Sequence, residues 1–194
     1  MRCDISLREA RELVAGEVLP LSPASVPVFR ALGCRVTADI VARVDCPSDT
    51  VASKDGFAVR AADLVAASDA VPVLLRRAGQ VFAGQQELPC LEPGNAVEVM
   101  TGARLPAGAD AVLPSETVEA TVDAVRCPAP IDPGRNLLAA GADVRAGTVI
   151  VREGQVLRPA ACGLLAAAGL AAVPCLPKPA VAVLATGDEL VEPG

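Results

Sequence analysis

Short apolar runs fill the middle of this chain, from about Cys46 to Gly134, and Pro, Gly and Asp turns separate them. β-Type residues dominate these runs, and one run alternates apolar and polar residues as a half-buried strand does. The predicted strands are Phe57 to Arg60, Val71 to Leu75, Ala96 to Met100, Ala111 to Leu113 and Thr117 to Val125. Many short strands at this spacing predict a small barrel or a curled sheet.

The two flanks of the chain have helical patterns instead. Ser6 to Glu9 matches a capping box, and the apolar spacing behind it predicts a helix to about Val14, ended by Gly16. A second helix is predicted from Ser25 to Leu32. After Gly134, a strand in the segment GTVIV and a helix from Pro159 to Gly169 are predicted. The predicted fold class is therefore α+β, with a β-rich second domain inserted into a discontinuous helical and β first domain.

The apolar run Ala180 to Ala185 is typical of a parallel strand that is buried on both faces. Such a strand needs neighbours, and few residues follow it here. The sequence therefore predicts that an α/β third domain begins at the end of this chain.

Composition excludes several functions. The chain has 194 residues, a net charge of −6 and only three aromatic residues, so it lacks the basic and stacking surfaces of a nucleic-acid-binding protein. With no histidine, it has no Ser-His or Cys-His nucleophile pair. Its seven cysteines contain no C-x-x-C spacing, and we interpret them as buried reduced thiols rather than zinc ligands. No signal peptide or membrane span is predicted, and we expect a cytoplasmic protein.

Four turns place polar residues beside glycine without an evident core role: Ser53 to Gly56, Met100 to Pro106, Gly141 to Gly147, and Thr186 to Glu189. Each has a purely structural interpretation. In the same order, these are a β-turn, a loop cap, an exposed ion pair between Asp143 and Arg145, and a helix N-cap. Each also has a functional interpretation. Lys54 and Asp55 would meet a substrate or metal, the Thr101 turn would face an anion, and Asp188 with Glu189 would bind Mg²⁺.

Four longer segments contain these turns. They read SKDGFAVRAADL, VEVMTGARLPAGADAVLPSE, GADVRAGTVIVREGQVLRPAACGLLAAAGLAAVPC and PAVAVLATGDELVEPG. Together they resemble the MoeA family, the molybdopterin molybdenumtransferases related to the C-terminal part of gephyrin. The resemblance extends over nearly the whole chain.

The resemblance implies a domain layout. It places a dimerisation domain (domain I) at residues 1–45 and 135–175, and an inserted β-rich domain (domain II) at residues 46–134. Residues 176–194 would be the first strand of a truncated, molybdopterin-binding domain III. In the family, the active cleft lies between domain III of one subunit and domain II of its partner, so a homodimer is implied.

The resemblance also implies a reaction. Family enzymes insert molybdenum from molybdate into molybdopterin adenylate with Mg²⁺, and a molybdopterin adenylyltransferase would be a further partner. The implied catalytic residues are Asp55, Thr101, Asp143 and Glu189. The implied metal ligands are Asp55 and Glu189. The implied cofactor-binding residues are Lys54, Gly56, Gly102, Thr186, Gly187 and Asp188.

The chain departs from the family pattern at two places. Lys54 replaces a methionine, and a basic run with a glutamate before the aspartate of the third turn is replaced by Leu137, Leu138, Ala139 and Ala142. Loss of arginines removes bidentate phosphate contacts, which Lys54 would restore only in part. Two alternatives to the molybdenumtransferase therefore stay open: a short non-catalytic dimerisation or interaction module, and a small-anion-binding protein.

Overall fold

The structure is a computed structural model that describes residues 5–185 and 187–191. Within these residues there are two α-helices, α1 (Leu7–Glu17) and α2 (Pro159–Ala167), and many short strands. The strands are β1 (Ala24–Pro27), β2 (Arg35–Val36), β3 (Ile40–Val41), β4 (Val51–Ala52), β5 (Gly56–Val59), β6 (Val73–Val81), β7 (Asn95–Val99), β8 (Ala111–Pro114), β9 (Glu119–Ala120), β10 (Ala124–Cys127), β11 (Leu137–Leu138), β12 (Val149–Val151) and β13 (Ala172–Leu176). The predicted mixture of few helices and many short strands is confirmed.

The chain forms two compact units. The first, the flank unit, consists of the described residues of Met1–Val41, Val149–Ala166 and Leu170–Gly194. The second, the middle unit, consists of Ala42–Thr148 and Ala167–Gly169. Residues 135–148 belong to the middle unit because β11 pairs with β4 and Val144 bridges to Cys46. The domain boundaries that the family resemblance implies stay a prediction.

The middle unit is built around a curled six-stranded sheet with the order β8-β5-β7-β6-β10-β9. β6 and β7 are parallel, and every other neighbouring pair is antiparallel. Because side chains alternate along a strand, the sheet buries apolar residues on both faces. Phe57, Val59 and Leu113 belong to one core cluster, whereas Ala58 and Val112 belong to the other.

The flank unit has its own three-stranded sheet with the order β1-β13-β2, and a two-stranded sheet of β12 and β3. The predicted capping box is confirmed, because the Glu9 backbone N–H donates to the Ser6 side chain and the Glu9 carboxylate accepts from the Ser6 N–H. The helix continues through Gly16 to Glu17. The predicted stop after α2 at Gly169, a residue of the middle unit, is also confirmed, with φ of +83° at this residue.

Two predicted elements are wrong. Residues 25–32 are not an α-helix, because Ala24–Pro27 pairs with β13 and only a single 3-10 turn follows at Val28–Arg30. Cross-strand pairing overrides a weak helical preference there. Residues 117–125 are not one strand but a hairpin of β9 and β10, since the Thr121 hydroxyl and N–H both donate to the Ala124 carbonyl and fold the chain back.

Residues 180–185 have no regular secondary structure in the described chain, and Val181, Val183 and Leu184 are 78–89% exposed. A strand requires a hydrogen-bonded neighbour, and this segment has none here. Among the described residues, no helix is both long and apolar enough to cross a membrane. Of the described cysteines, Cys34, Cys127 and Cys175 are buried as predicted, whereas Cys90 is exposed.

Candidate functional site

Strand β4 brings three of the predicted loops side by side in the middle unit. On one side, the Ala52 N–H donates to the Ala103 carbonyl at 2.9 Å, and the Gly102 N–H donates to the Ala52 carbonyl at 2.9 Å. On the other side, β11 pairs with β4. The turn at Thr101, the loop after β4 and the loop after β11 therefore begin next to one another.

Asp55 and Thr101 form the most specific contact at this place. The Thr101 N–H and the Thr101 hydroxyl both donate to Oδ1 of Asp55, each at 2.7 Å. Gly102, with φ of +81°, provides the left-handed turn that follows Thr101 and that L side chains rarely adopt. The two donors lower the pKa of Asp55, the hydroxyl more than the N–H. Asp55 is therefore an exposed carboxylate that stays ionised at neutral pH.

Replacing Thr101 with valine is expected to raise the pKa of Asp55 towards its ordinary value, because the stronger of its two donors is lost. The pKa of Asp55 is lower in the folded chain than in the unfolded chain, where it is about 4. The ionised carboxylate therefore stabilises the fold above about pH 4, and this contribution disappears as the pH falls through the folded-state pKa. Carboxyl-carbon NMR titration measures this pKa directly.

Thr101→Ser is the matched control, because serine keeps both the hydroxyl and the N–H. We expect its Asp55 titration to follow that of the unmodified chain. An unchanged Asp55 pKa in Thr101→Val would contradict the assignment of the hydroxyl as the main cause.

Gly56, the residue that follows Asp55, is needed for close packing between strands. It pairs with Val99 on β7 and with Pro114 on β8, and a Cβ atom at this position would lie 1.9 Å from the Leu113 carbonyl oxygen. The Ser115 N–H donates to the Asp55 carbonyl at 3.1 Å. The close approach of β8 thus restrains the backbone from which the Asp55 carboxylate projects.

Asp143 lies in an exposed turn that backbone hydrogen bonds hold in place. Its N–H donates to the Cys46 carbonyl at 3.0 Å, and the Gly141 N–H donates to the Pro47 carbonyl at 2.9 Å. No ion pair joins Asp143 to Arg145 in the described chain, so that predicted pair is wrong. The Asp143 side chain is left exposed to solvent, without a hydrogen bond to Asp55 or Thr101.

Sequence reasoning missed two residues that shape these loops. The Asp45 carboxylate accepts the Ala146 N–H at 2.7 Å and so closes the turn that contains Asp143. Asn136 has φ of +58°, and its side-chain amide donates to the Val112 carbonyl at 2.7 Å. The signal for Asn136 was its place two residues after Gly134 in a turn, since asparagine tolerates the left-handed conformation better than most residues.

The fourth predicted turn belongs to the flank unit. Thr186 lies outside the described residues. Gly187 has φ of +139°, its carbonyl accepts the Leu190 N–H at 3.2 Å, and the carboxylates of Asp188 and Glu189 are exposed. The two predicted metal ligands, Asp55 and Glu189, thus belong to different compact units.

A magnesium site is only partly provided by the described residues. They contain no group of three or more Asp, Glu, Cys or His side chains that could hold a metal ion. Thr101 engages Oδ1 of Asp55, and Oδ2 accepts no hydrogen bond from another described residue. One carboxylate oxygen fits Mg²⁺, which is usually held by one or two carboxylates together with waters and substrate phosphates.

Lys54 lies beside Asp55 in sequence but contacts a different region. Its side chain is exposed and lines a cavity with residues of β8 and of the segments 128–131 and 135–136. Asp55 and Thr101 do not line this cavity. The adjacent charged residues Lys54 and Asp55 are therefore not parts of one cluster in the middle unit.

Comparisons with known proteins agree on a family. Residues 5–169 match the model of the MoeA N-terminal region (domain I and II). The chain is 39% identical over 189 residues to molybdopterin molybdenumtransferase 2 of Mycobacterium tuberculosis (strain CDC 1551 / Oshkosh). This match covers 97% of the chain and 47% of that protein. It is 37% identical over 190 residues to a molybdopterin molybdenumtransferase of Synechococcus elongatus, covering 96% of this chain and 47% of that protein.

A solved structure resembles the fold as well. The molybdopterin biosynthesis moeA protein from Pyrococcus horikoshii OT3 superposes with a TM-score of 0.74 and 35% sequence identity. The match covers 87% of this chain and 45% of that protein. The chain thus spans about half the length of the relatives that it matches.

Proposed function

Because this chain belongs to the MoeA family and matches its N-terminal domains I and II, we propose that it is the N-terminal part of a molybdopterin molybdenumtransferase. The reaction would insert molybdenum from molybdate into molybdopterin adenylate in molybdenum cofactor biosynthesis. One observation supports this proposal more than any other. Two of the conspicuous turns meet at an exposed, ionised carboxylate, Asp55, which Thr101 holds through two short hydrogen bonds.

Each residue of this pair has a distinct role in the proposal. Thr101 orients the carboxylate and keeps it ionised, which leaves Oδ2 available for a ligand. Asp55 would provide one oxygen ligand to Mg²⁺, and Glu189 is the second proposed ligand. Bound Mg²⁺ would neutralise phosphate charge and orient the adenylate leaving group. Asp143, Gly102, Gly187 and Asp188 stay proposed site residues.

We also propose that the chain forms a homodimer through the flank unit. Helix α1 has no buried residue, although its apolar side chains follow a helical spacing. Leu7, Val14 and Val18 are 77%, 63% and 66% exposed. Burying such a stripe against a second copy removes apolar surface from water, which is the main driving force of most protein association. A cytoplasmic location and a molybdopterin adenylyltransferase partner complete the proposal.

A chimera tests the proposed activity. This chain replaces the matching N-terminal half of molybdopterin molybdenumtransferase 2, and the purified protein is incubated with molybdopterin adenylate, molybdate and Mg²⁺. Molybdenum bound to the pterin product is then measured by elemental analysis. We expect insertion well above that of a control protein that lacks the N-terminal half. A folded, dimeric chimera without insertion would contradict the proposed enzyme.

One observation favours a non-catalytic dimerisation or interaction module as a second candidate. Leu137 packs on the apolar core of the middle unit, at a place where the family pattern has a basic residue. A leucine side chain has no charge or hydrogen-bond donor with which to bind a phosphate. The same chimera decides between the candidates, because a module of this kind would dimerise but leave molybdate unused.

A further inference from the structure

The middle unit contains a cavity of about 330 Å³ that plays no part in the proposed reaction. Lys54 and residues of three chain segments line it: Leu113, Pro114 and Thr117 from the first, Pro128 to Ile131 from the second, and Arg135 with Asn136 from the third. This volume is at the lower end of the range of small-molecule sites, so it suits one ring-sized ligand.

Most of the cavity wall is apolar and stiff. Leu113 and Pro114 belong to the end of β8, and the facing segment contributes Pro128, Pro130 and Ile131. Proline has a fixed φ and little side-chain freedom, so these walls lose little conformational entropy when a ligand binds. Such a surface favours a flat apolar group.

Two cations line the cavity, and no described Asp or Glu lines it. Neither Lys54 nor Arg135 forms an ion pair with another described residue. The backbone beside Arg135 is well anchored, because its carbonyl accepts the Val112 N–H at 3.1 Å and the Asn136 side chain donates to the Val112 carbonyl. The cavity thus combines apolar walls with two positive charges that have no ion-pair partner among the described residues.

We propose that this cavity binds a small organic anion, an aromatic or other flat apolar group that carries a phosphate or carboxylate. The apolar group lies between the proline walls and Ile131, and the anion lies between Lys54 and Arg135. This site is separate from the Asp55 and Thr101 pair, and it assigns a ligand-binding role to the lysine that departs from the family pattern.

Phenyl phosphate is the probe for this site, in an amide NMR titration of the 194-residue chain. We expect chemical shift changes at Leu113, Thr117, Ile131 and Asn136. Lys54→Met is expected to weaken binding about fivefold, because one charge-assisted contact in a partly solvated site is lost. Lys178→Met removes the only other lysine of the chain, which is exposed and lies in the flank unit, and is expected to leave binding unchanged.

Two further ligands separate the apolar from the ionic contribution. Phenol lacks the anion and inorganic phosphate lacks the ring, and each is expected to bind at least about tenfold more weakly than phenyl phosphate. Equal affinity for either, no binding of phenyl phosphate, or an equal loss in Lys54→Met and Lys178→Met would overturn the proposal. The amide spectrum of each variant without ligand shows that the fold is retained.

Discussion

Gly56→Ala is expected to destabilise the middle unit by about 3 kcal/mol or more. The added methyl group would lie 1.9 Å from the Leu113 carbonyl oxygen and 2.9 Å from its carbonyl carbon, so the backbones of β5 and β8 must separate. Both strands are buried parts of the six-stranded sheet, and their displacement would also break the pairing at Phe57 and Ala58. Urea unfolding followed by circular dichroism measures the loss.

Gly16→Ala is the matched control for this substitution. Gly16 lies inside α1, and apart from its chain neighbours and the backbone of its own helix, no atom lies within 4 Å of an added Cβ. Alanine there is expected to stabilise the helix by about 0.5–1 kcal/mol. A loss below about 1 kcal/mol in Gly56→Ala would show that β8 moves aside at little cost, and would contradict the tight packing described here.

Asp55→Asn is expected to lower molybdenum insertion by the chimera about 100-fold or more, in the range typical of losing one charged catalytic group. Asparagine keeps an oxygen that accepts the two Thr101 hydrogen bonds, so the turn is preserved. The negative charge is lost, and with it the proposed ligand for Mg²⁺. Turnover rate and Mg²⁺ dependence are measured on the same protein preparations.

Asp63→Asn is the control for the charge change. Asp63 lies in the same compact unit, and its Oδ2 accepts the Gly94 N–H at 2.9 Å, away from the Asp55 and Thr101 pair. We expect its activity to equal that of the unmodified chimera. Full activity of Asp55→Asn, or an equal loss in both variants, would remove Asp55 from the proposed mechanism.

Local patterns predicted the elements whose stabilising interactions are local. The capping box at Ser6 predicted the start of α1, and Gly169 predicted the end of the helical segment, because a cap depends on residues within one or two turns. Alternation and turn residues located β5, β7 and β8 to within about one residue. The same approach failed at Thr117 to Val125, where a threonine-based turn was not recognised.

Long-range pairing accounts for the other errors. Residues 25–32 had a helical pattern, yet Val26 pairs with Val173, far away along the chain. Local sequence patterns do not reflect the stability that such long-range strand pairing provides. The apolar run Ala180 to Ala185 has no regular secondary structure in the described chain, and its place as the first strand of a third domain stays a prediction.

By itself, the sequence determined the class of the fold, the family and the residue types of the conspicuous turns, because composition and local spacing carry that information. Only the tertiary structure decided which turns meet. It joins Thr101 to Asp55 across 46 residues through hydrogen bonds around β4, and it directs Lys54 to a cavity that its neighbour Asp55 does not line. The physical reason is that hydrogen bonds between distant backbone segments set these positions, and neither partner of such a bond is recognisable from its own neighbours.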